Sequence, residues 1–203
     1  KSTLLSLING DHPQSYANTL YLFGNKRGSG ESIWDIKQHI GLISPEFHWY
    51  FDANSTVWES IASGFYDSVG LFQTLPYSKG IQVDQLIEYF GLTEKKKEVL
   101  STLPLGKQRL VLLARTIIKN PELLILDEPT NHLDLESITA FNNSLKNYKG
   151  SVIFTTHDHE FAQTVGNRVV ELTPNGAIDR YMTFDEYLDN EGVQELRAKM
   201  YTV

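Results

Sequence analysis

The run of residues 123–134 constrains the fold of this chain more than any other segment of its sequence. Residues 123–126 are four consecutive aliphatic residues, which is typical of a strand buried on both faces of a parallel sheet. Asp127 and Glu128 follow directly, and Pro129 then ends the strand. Because open α/β sheets bind ligands beyond the carboxyl ends of their strands, the run predicts an α/β fold with two acids at a ligand site.

The composition excludes several classes of protein. Of the 203 residues, 41% are apolar, which is enough for a substantial core. No apolar run approaches the roughly 18 residues that span a bilayer, so we expect a cytoplasmic protein without direct membrane insertion. The absence of cysteine excludes disulfides and thiolate chemistry. The net charge of −7 argues against autonomous nucleic-acid binding, which depends on Lys and Arg displacing counterions.

Strand and helix signals alternate on either side of a long helical segment. Predicted strands occupy residues 19–23, 40–43, 123–126, 152–155 and 169–172. Predicted helices occupy residues 1–8, 32–39, 135–147, 160–165, 184–188 and 194–200. This alternation predicts right-handed βαβ units and a mostly parallel sheet flanked by helices. Between residues 53 and 118 helical periods replace the strand signals, which predicts an inserted α-helical subdomain.

The two acids after the strand suit the chemistry of a magnesium-bound nucleotide. We expect Asp127 to bind Mg²⁺ and Glu128 to orient or deprotonate an attacking water. The alternative is a buried strand that ends in a helix-capping acid, which explains either acid alone but not the whole run. Asp134 should cap the helix predicted at 135–147, and this role is compatible with one at the nucleotide.

Lys1, Ser2 and Thr3 are the only plausible phosphate clamp. They open an apolar helix, where free backbone N–H groups favour anions. In a phosphate-binding loop a lysine reaches the β- and γ-phosphates, and a Ser or Thr hydroxyl binds Mg²⁺. The tripeptide alone is a weak signal, since a charged amino terminus would look the same; its weight comes from the downstream acids. Glycines that should precede Lys1 are missing from the sequence, so we expect this polypeptide to bind ATP poorly.

His157 follows the strand predicted at 152–155 and should lie at the same sheet edge as Asp127. There it could donate a hydrogen bond to a γ-phosphate. The alternatives are a helix-capping histidine and a metal site formed with Asp158 and His159. The metal site is disfavoured because two histidines and one acid supply too few well-spaced ligands.

Together these motifs resemble an ATP-binding-cassette (ABC) ATPase domain over nearly the full chain. Residues 1–3 resemble the end of Walker A, residues 123–128 Walker B, residues 131–134 the D-loop and His157 the H-loop. The resemblance implies ATP and Mg²⁺ as cofactors, with Ser2 and Asp127 at the metal.

The same resemblance implies the domain organisation and a partner. A P-loop NTPase (RecA-like) core would comprise residues 1–52 and 119–203, and the helical subdomain residues 53–118. ABC ATPases hydrolyse ATP between two domains, so a second ABC ATPase domain is expected in the same polypeptide or in a homodimer.

The segment that aligns with the ABC signature departs from the family pattern. It falls on residues 103–107, where Pro104 replaces a serine that would contact the γ-phosphate bound by a partner domain. Gly106 is retained and is expected to bind nucleotide, while Lys107 could supply charge instead of the hydroxyl. The Q-loop also differs, because Ser-Pro-Glu at residues 44–46 stands where a glutamine is usual. The Walker A and Walker B segments therefore resemble those of a catalytic site. The signature segment, which would complete the site of a partner domain, looks weakened.

Two narrower resemblances divide the chain. Residues 28–36, 40–44 and 64–71 are similar to molybdenum-associated, ModF-like tandem ATPases. Residues 131–138, 157–161 and 185–188 are similar to the second domain of ABC-F proteins, which act on translating ribosomes. Both resemblances imply an ATPase domain from a tandem polypeptide.

Four functions remain open at this point. They are an ATP-hydrolysing motor domain, a nucleotide-responsive regulatory module with little turnover, the ATPase subunit of a transporter, and a ribosome-acting translation factor. Glu128 and His157 favour the motor, whereas Pro104 and Pro45 favour the regulatory module. A transporter role would add a membrane permease as partner, placing the domain at the periphery of the inner membrane. Phe47, Trp49 and Tyr50 could then face the permease, although core packing is their favoured role.

Overall fold

The structure of the chain is a computed structural model, which describes residues 2–17, 19–44, 52, 54–131 and 133–202, without the side chain of Ser2. The chain divides into two units, Lys1–Thr155 and Thr156–Val203. Strands described in the first unit are β1 (Tyr21–Leu22), β2 (Asn25–Lys26), β3 (Ile40–Ile43), β4 (Leu123–Asp127) and β5 (Ser151–Thr155). Its described α-helices are α1 (Ser2–Asn9), α2 (Ile33–His39), α3 (Val57–Ala62), α4 (Tyr77–Tyr89), α5 (Leu105–Ile117) and α6 (Leu135–Lys146).

A parallel sheet with the strand order β3-β4-β5 forms the centre of the first unit. β4 pairs with β3 from Leu123 to Leu126 and with β5 from Leu123 to Asp127. Being paired on both edges, β4 buries Leu124, Ile125 and Leu126 completely. The continuous aliphatic run thus forms a central strand, as predicted, and the predicted α/β class is confirmed.

The strand predicted at 19–23 is shorter than expected and lies outside this parallel sheet. It pairs antiparallel with β2, which the sequence did not predict. The two strands are joined by Phe23 and Gly24, both with positive φ (50° and 80°). A two-residue turn with positive φ at both positions matches the twist of the strands that flank a tight hairpin. Of the two turn residues, only Gly24 gave a clear sequence signal for such a turn.

Helices dominate the segment between β3 and β4, as predicted. Within residues 54–118, the β-structure described is a single bridge between Thr56 and Val99. Short 3₁₀ helices at Ser63–Tyr66, Thr93–Lys95 and Leu100–Thr102 accompany α3, α4 and α5. Thr56 and Glu59 form a capping box that starts α3. The subdomain limits at residues 52/53 and 118/119 stay a prediction.

The second unit corrects one expectation about the sheet. It contains α7 (His159–Val165), β6 (Val169–Thr173), β7 (Gly176–Arg180), α8 (Phe184–Asp189) and α9 (Glu191–Tyr201). The strand predicted at 169–172 exists, but it pairs antiparallel with β7 rather than joining a parallel sheet. β7 buries only Ile178, so its sequence carries too little apolar pattern to reveal a strand. The turn residues Pro174 and Asn175 connect the two strands.

The core of the second unit is small and contains Ile178, Tyr187 and Val193. Glu171 of β6 supports it by accepting hydrogen bonds from Tyr187 Oη (2.5 Å) and Tyr201 Oη (2.9 Å). In the part of the chain that is described, no helix has the length and apolarity needed to cross a membrane.

Candidate functional site

Asp127 is the last residue of β4 and lies opposite Thr155 of β5. The Thr155 hydroxyl donates a hydrogen bond to Asp127 Oδ1. The carboxylate is half-buried, so this bond restricts its orientation while leaving part of it accessible. A half-buried carboxylate oxygen at a strand end is a suitable ligand for Mg²⁺. This ion binds few protein carboxylates and completes its coordination shell with water and phosphate.

Glu128 occupies a left-handed backbone conformation, with φ +49°. Such a conformation costs a non-glycine residue on the order of 1 kcal/mol or more, so the surrounding structure must hold it. The Glu128 N–H donates to the carbonyl of Thr155 (3.0 Å), which continues the sheet pairing by one residue. Its own carbonyl accepts from the Asn131 N–H (3.4 Å) and from Arg109 Nη1 (3.4 Å). The chain thus leaves the strand direction at Glu128 and begins the turn that contains Pro129.

Arg109 is a site residue that sequence reasoning missed. It lies on α5 and is partly buried, and burial lowers the pKa of its guanidinium. Its contact with Glu128 joins residues 19 positions apart. The only signal in the sequence was a basic residue among the apolar positions of a predicted helix.

Asp134 caps α6, as predicted. Its side chain accepts a hydrogen bond from the Ser137 N–H (2.8 Å). Hydrogen bonding by Ser137, together with the nearby positive charge of Lys107, lowers the pKa of Asp134 from its ordinary value. The carboxylate is thereby kept ionised at the start of the helix, which also suits the helix dipole. The proposed second role of Asp134 at the nucleotide stays a prediction.

The signature segment lies at the start of α5. Pro104 is the N-cap residue and contributes no side-chain hydrogen bond. Gly106 belongs to the first turn of the helix. Lys107 Nζ lies 3.6 Å from Glu136 Oε2, in the first turn of α6. In the structure the charge of Lys107 is therefore paired with an acid of its own unit.

The structure leaves the phosphate clamp and the switch histidine as predictions. Thr3 is exposed in the first turn of α1, while Lys1 and the Ser2 side chain lie outside the described residues. His157 belongs to the second unit, where Asp158 caps α7. His159 pairs with Asp185 (2.9 Å), and the described residues contain no cluster of three metal-ligating side chains.

The residues predicted for the Q-loop fall largely outside the description. Ser44 follows β3 and is half-buried. Pro45, Glu46 and the aromatic residues Phe47, Trp49 and Tyr50 are not among the described residues.

A parallel sheet flanked by helices, with two acids at the carboxyl end of its central strand, is the architecture of an open α/β ligand-binding domain. The family model described as "ABC transporter" matches residues 1–131, which is more than half of the chain. The chain therefore belongs to the ABC transporter family and is an ABC-type ATPase domain.

Individual relatives agree with this assignment. The chain is 40% identical over 187 residues to the ABC transporter ATP-binding protein ModF of Escherichia coli K12, covering 90% of this chain and 38% of ModF. It is 50% identical over 107 residues to the uncharacterized ABC transporter ATP-binding protein YkpA of Bacillus subtilis, covering 53% of this chain and 19% of YkpA. Among solved structures, CbiO1 of Clostridium perfringens, part of the ABC transporter complex cbiONQ, has the same fold. Its TM-score is 0.73 at 20% identity, over 98% of this chain and 79% of that chain.

The ATP-binding protein Uup of Escherichia coli K12 also matches, at 35% identity over 107 residues, covering 53% of this chain and 16% of Uup. The matches to ModF and to Uup confirm the ModF-like and ABC-F-like resemblances. ATP binding and hydrolysis are properties of the family to which the chain belongs. The chain spans less than two fifths of the length of ModF, YkpA and Uup.

Proposed function

We propose that this chain is one ATP-hydrolysing half of a tandem ABC ATPase, in which ATP-driven closure against a second ABC domain acts on a partner. The observation that carries the proposal is the arrangement at the end of β4. Asp127 is oriented by Thr155, and the next residue, Glu128, is held in a conformation that turns the chain out of the sheet.

The residues divide the work of phosphoryl transfer between them. Lys1 and Thr3 would bind the phosphates, and Ser2 and Asp127 would hold Mg²⁺, which supplies neutralisation of phosphate charge when bound. Glu128 orients the attacking water and accepts its proton. His157 donates a hydrogen bond to the γ-phosphate. Phosphoryl transfer depends on positioning and charge neutralisation more than on covalent chemistry by the protein. The end of β4, which is paired with a strand on each edge, provides such positioning.

The proposed partner is a second ABC domain, to which Gly106 and Asp134 would present the signature and the D-loop. The length of ModF leaves room for such a domain, since this chain corresponds to 38% of it. We propose a cytoplasmic location, with a membrane permease or a ribosome as the further partner to be distinguished by experiment.

A regulatory module with little turnover is the second candidate. Pro104 offers no hydroxyl at the signature, and Lys107 is paired with Glu136. Both features favour a domain that closes on ATP but stimulates its partner's hydrolysis weakly.

Substitution of Glu128 by Gln separates the two candidates. In the full-length protein, steady-state ATP turnover should fall by about 100-fold or more while ATP binding is retained, because the general base is lost but the phosphate contacts are not. Glu122→Gln is the matched control, since Glu122 precedes the other end of β4 and pairs with His39 on the surface. Unchanged turnover in Glu128→Gln would favour the regulatory module and refute hydrolysis at this site.

A further inference from the structure

We propose that Arg109 is a positioning residue for hydrolysis, acting through the backbone carbonyl of Glu128 rather than on the nucleotide. This inference rests on the proposed function, because it concerns the residue that we assign as the general base. It adds a residue of the signature helix to the machinery of the chain's own hydrolytic site.

The backbone of Glu128 needs support that its neighbours in sequence only partly provide. Its left-handed conformation (φ +49°) is unfavourable for a residue with a side chain. The N–H is fixed by β5, through the bond to Thr155. The carbonyl has a turn contact from Asn131 and one contact from a charged group, the guanidinium of Arg109. Both peptide groups that flank Glu128 must hold their orientation for its carboxylate to point in a constant direction.

Arg109 is well suited to hold that carbonyl. The residue is the fifth of a 13-residue helix in which the nearby Leu110, Val111 and Leu113 are almost completely buried, so its backbone is rigid. The residue also lines a small cavity with Leu112, Pro129 and Leu133, whose walls are mainly apolar. In such a setting a hydrogen bond from a cation is stronger than in water.

The guanidinium is not explained by an ion pair. Among the described residues, no salt bridge involves Arg109, and its buried Nε has no hydrogen-bond acceptor in that part of the chain. Burying a cation without an anionic partner is costly, so a purely structural arginine would be a poor choice at this position. The described contact that uses its charge is the one to the carbonyl of Glu128.

The position of Arg109 has a further consequence for coupling. Arg109 follows Gly106 of the signature segment by three positions, and both lie on α5. A displacement of α5 when the signature meets a partner domain would therefore move the guanidinium that holds Glu128. Closure at one site could in this way adjust the base of the other.

The test is a double-mutant cycle in the full-length protein with Arg109→Met and Glu128→Gln. Arg109→Met preserves much of the stem and removes the charged donor. We expect its kcat to fall about tenfold, the size associated with one charge-assisted hydrogen bond, with the Kd for ATP unchanged. In the Glu128→Gln background, Arg109→Met should cause no further loss in single-turnover rate, because it acts through Glu128. Arg180→Met is the matched control, since Arg180 is exposed on β7 and should leave kcat unchanged.

Each outcome decides the proposal. A kcat equal to wild type in Arg109→Met, with Glu128→Gln inactive, would overturn this role and leave the proposed function intact. A loss that adds to that of Glu128→Gln, or that is matched by weaker ATP binding, would show an independent or structural role and would also overturn it. If Arg109→Met does not fold, Arg109→Lys replaces it. The lysine keeps the charge but lacks the planar fork, so a several-fold fall in kcat is expected and wild-type kcat would contradict the inference. Full turnover in Glu128→Gln would instead refute the proposed function itself.

Discussion

The carboxyl end of β4 and the amino end of α5 meet at Glu128, yet they are built in different ways. The strand end is paired on both edges, its aliphatic residues are buried, and the Asp127 carboxylate and the Glu128 backbone have defined hydrogen bonds. The helix start has a proline cap without a side-chain hydrogen bond and a lysine engaged by Glu136. The strand end thus holds its acids in a fixed arrangement, while the helix start lacks the hydroxyl that the family signature carries.

This difference means that the fold depends more on the strand end than on the helix start. The strand end depends on sheet pairing and on a buried core, and such a core tolerates few substitutions. The helix start is bordered by exposed side chains, including Leu105 at 40% exposure, and can change its chemistry without disturbing the fold.

The largest effect should come from the core beneath the strand end. Leu124→Ala removes a completely buried side chain from β4 and should lower the free energy of unfolding by about 2–5 kcal/mol. Leu105→Ala, at the exposed start of α5, should change it by less than about 0.5 kcal/mol. Urea unfolding of both variants measures the contrast, and equal losses would show that the helix start is as tightly packed as the strand.

The next effect concerns the acid itself. Asp127→Asn keeps the shape of the side chain and removes its charge, so ATP turnover should fall by about 100-fold and its dependence on Mg²⁺ concentration should weaken. Turnover measured across a magnesium titration tests this expectation. Asp84→Asn, on the surface of α4 and paired with Lys96, is the control. A magnesium dependence identical to wild type would remove Asp127 from the metal site.

A smaller effect is expected at the turn that follows the acids. Asp134→Ala removes the cap of α6 and should lower the free energy of unfolding by about 1 kcal/mol. Because the pKa of Asp134 is depressed below 3.8 in the folded chain, its ionised form stabilises the fold above pH 3.8. That contribution is lost as the pH falls through the folded pKa. The stability difference between wild type and Asp134→Asn should therefore narrow in that acidic range, and a difference that grows there would reverse the assigned sign.

The smallest effect should come from restoring the signature hydroxyl. Pro104 has an extended backbone (φ −55°, ψ 146°) that a serine cap can adopt. Pro104→Ser should stabilise the chain by up to about 1 kcal/mol and raise the turnover of the full-length protein a few-fold. Pro104→Ala removes the ring without adding the hydroxyl, so a rise of equal size in both variants would assign the effect to the loss of proline.

The sequence predicted the parts of this site that depend on neighbouring residues. The aliphatic run at 123–126 and the cap at Asp134 are local patterns, and both were found where expected. Arg109 and Glu128 lie 19 positions apart, so no local pattern could indicate their contact. The left-handed conformation of Glu128 is equally hidden, because glutamate has no preference for it. The pairing of β6 with β7 was missed because β7 buries a single residue.

The most direct test of hydrolysis at the end of β4 is the identity of the nucleotide retained by Glu128→Gln. The full-length variant is incubated with ATP and Mg²⁺, separated from free nucleotide, and its bound nucleotide is identified by chromatography. We predict that the variant retains ATP, whereas the Glu122→Gln control processed in parallel yields ADP. Stoichiometric ADP on the Glu128→Gln protein would show that the bond between the β- and γ-phosphates is broken without this carboxylate. That result would contradict the assignment of Glu128 as the general base.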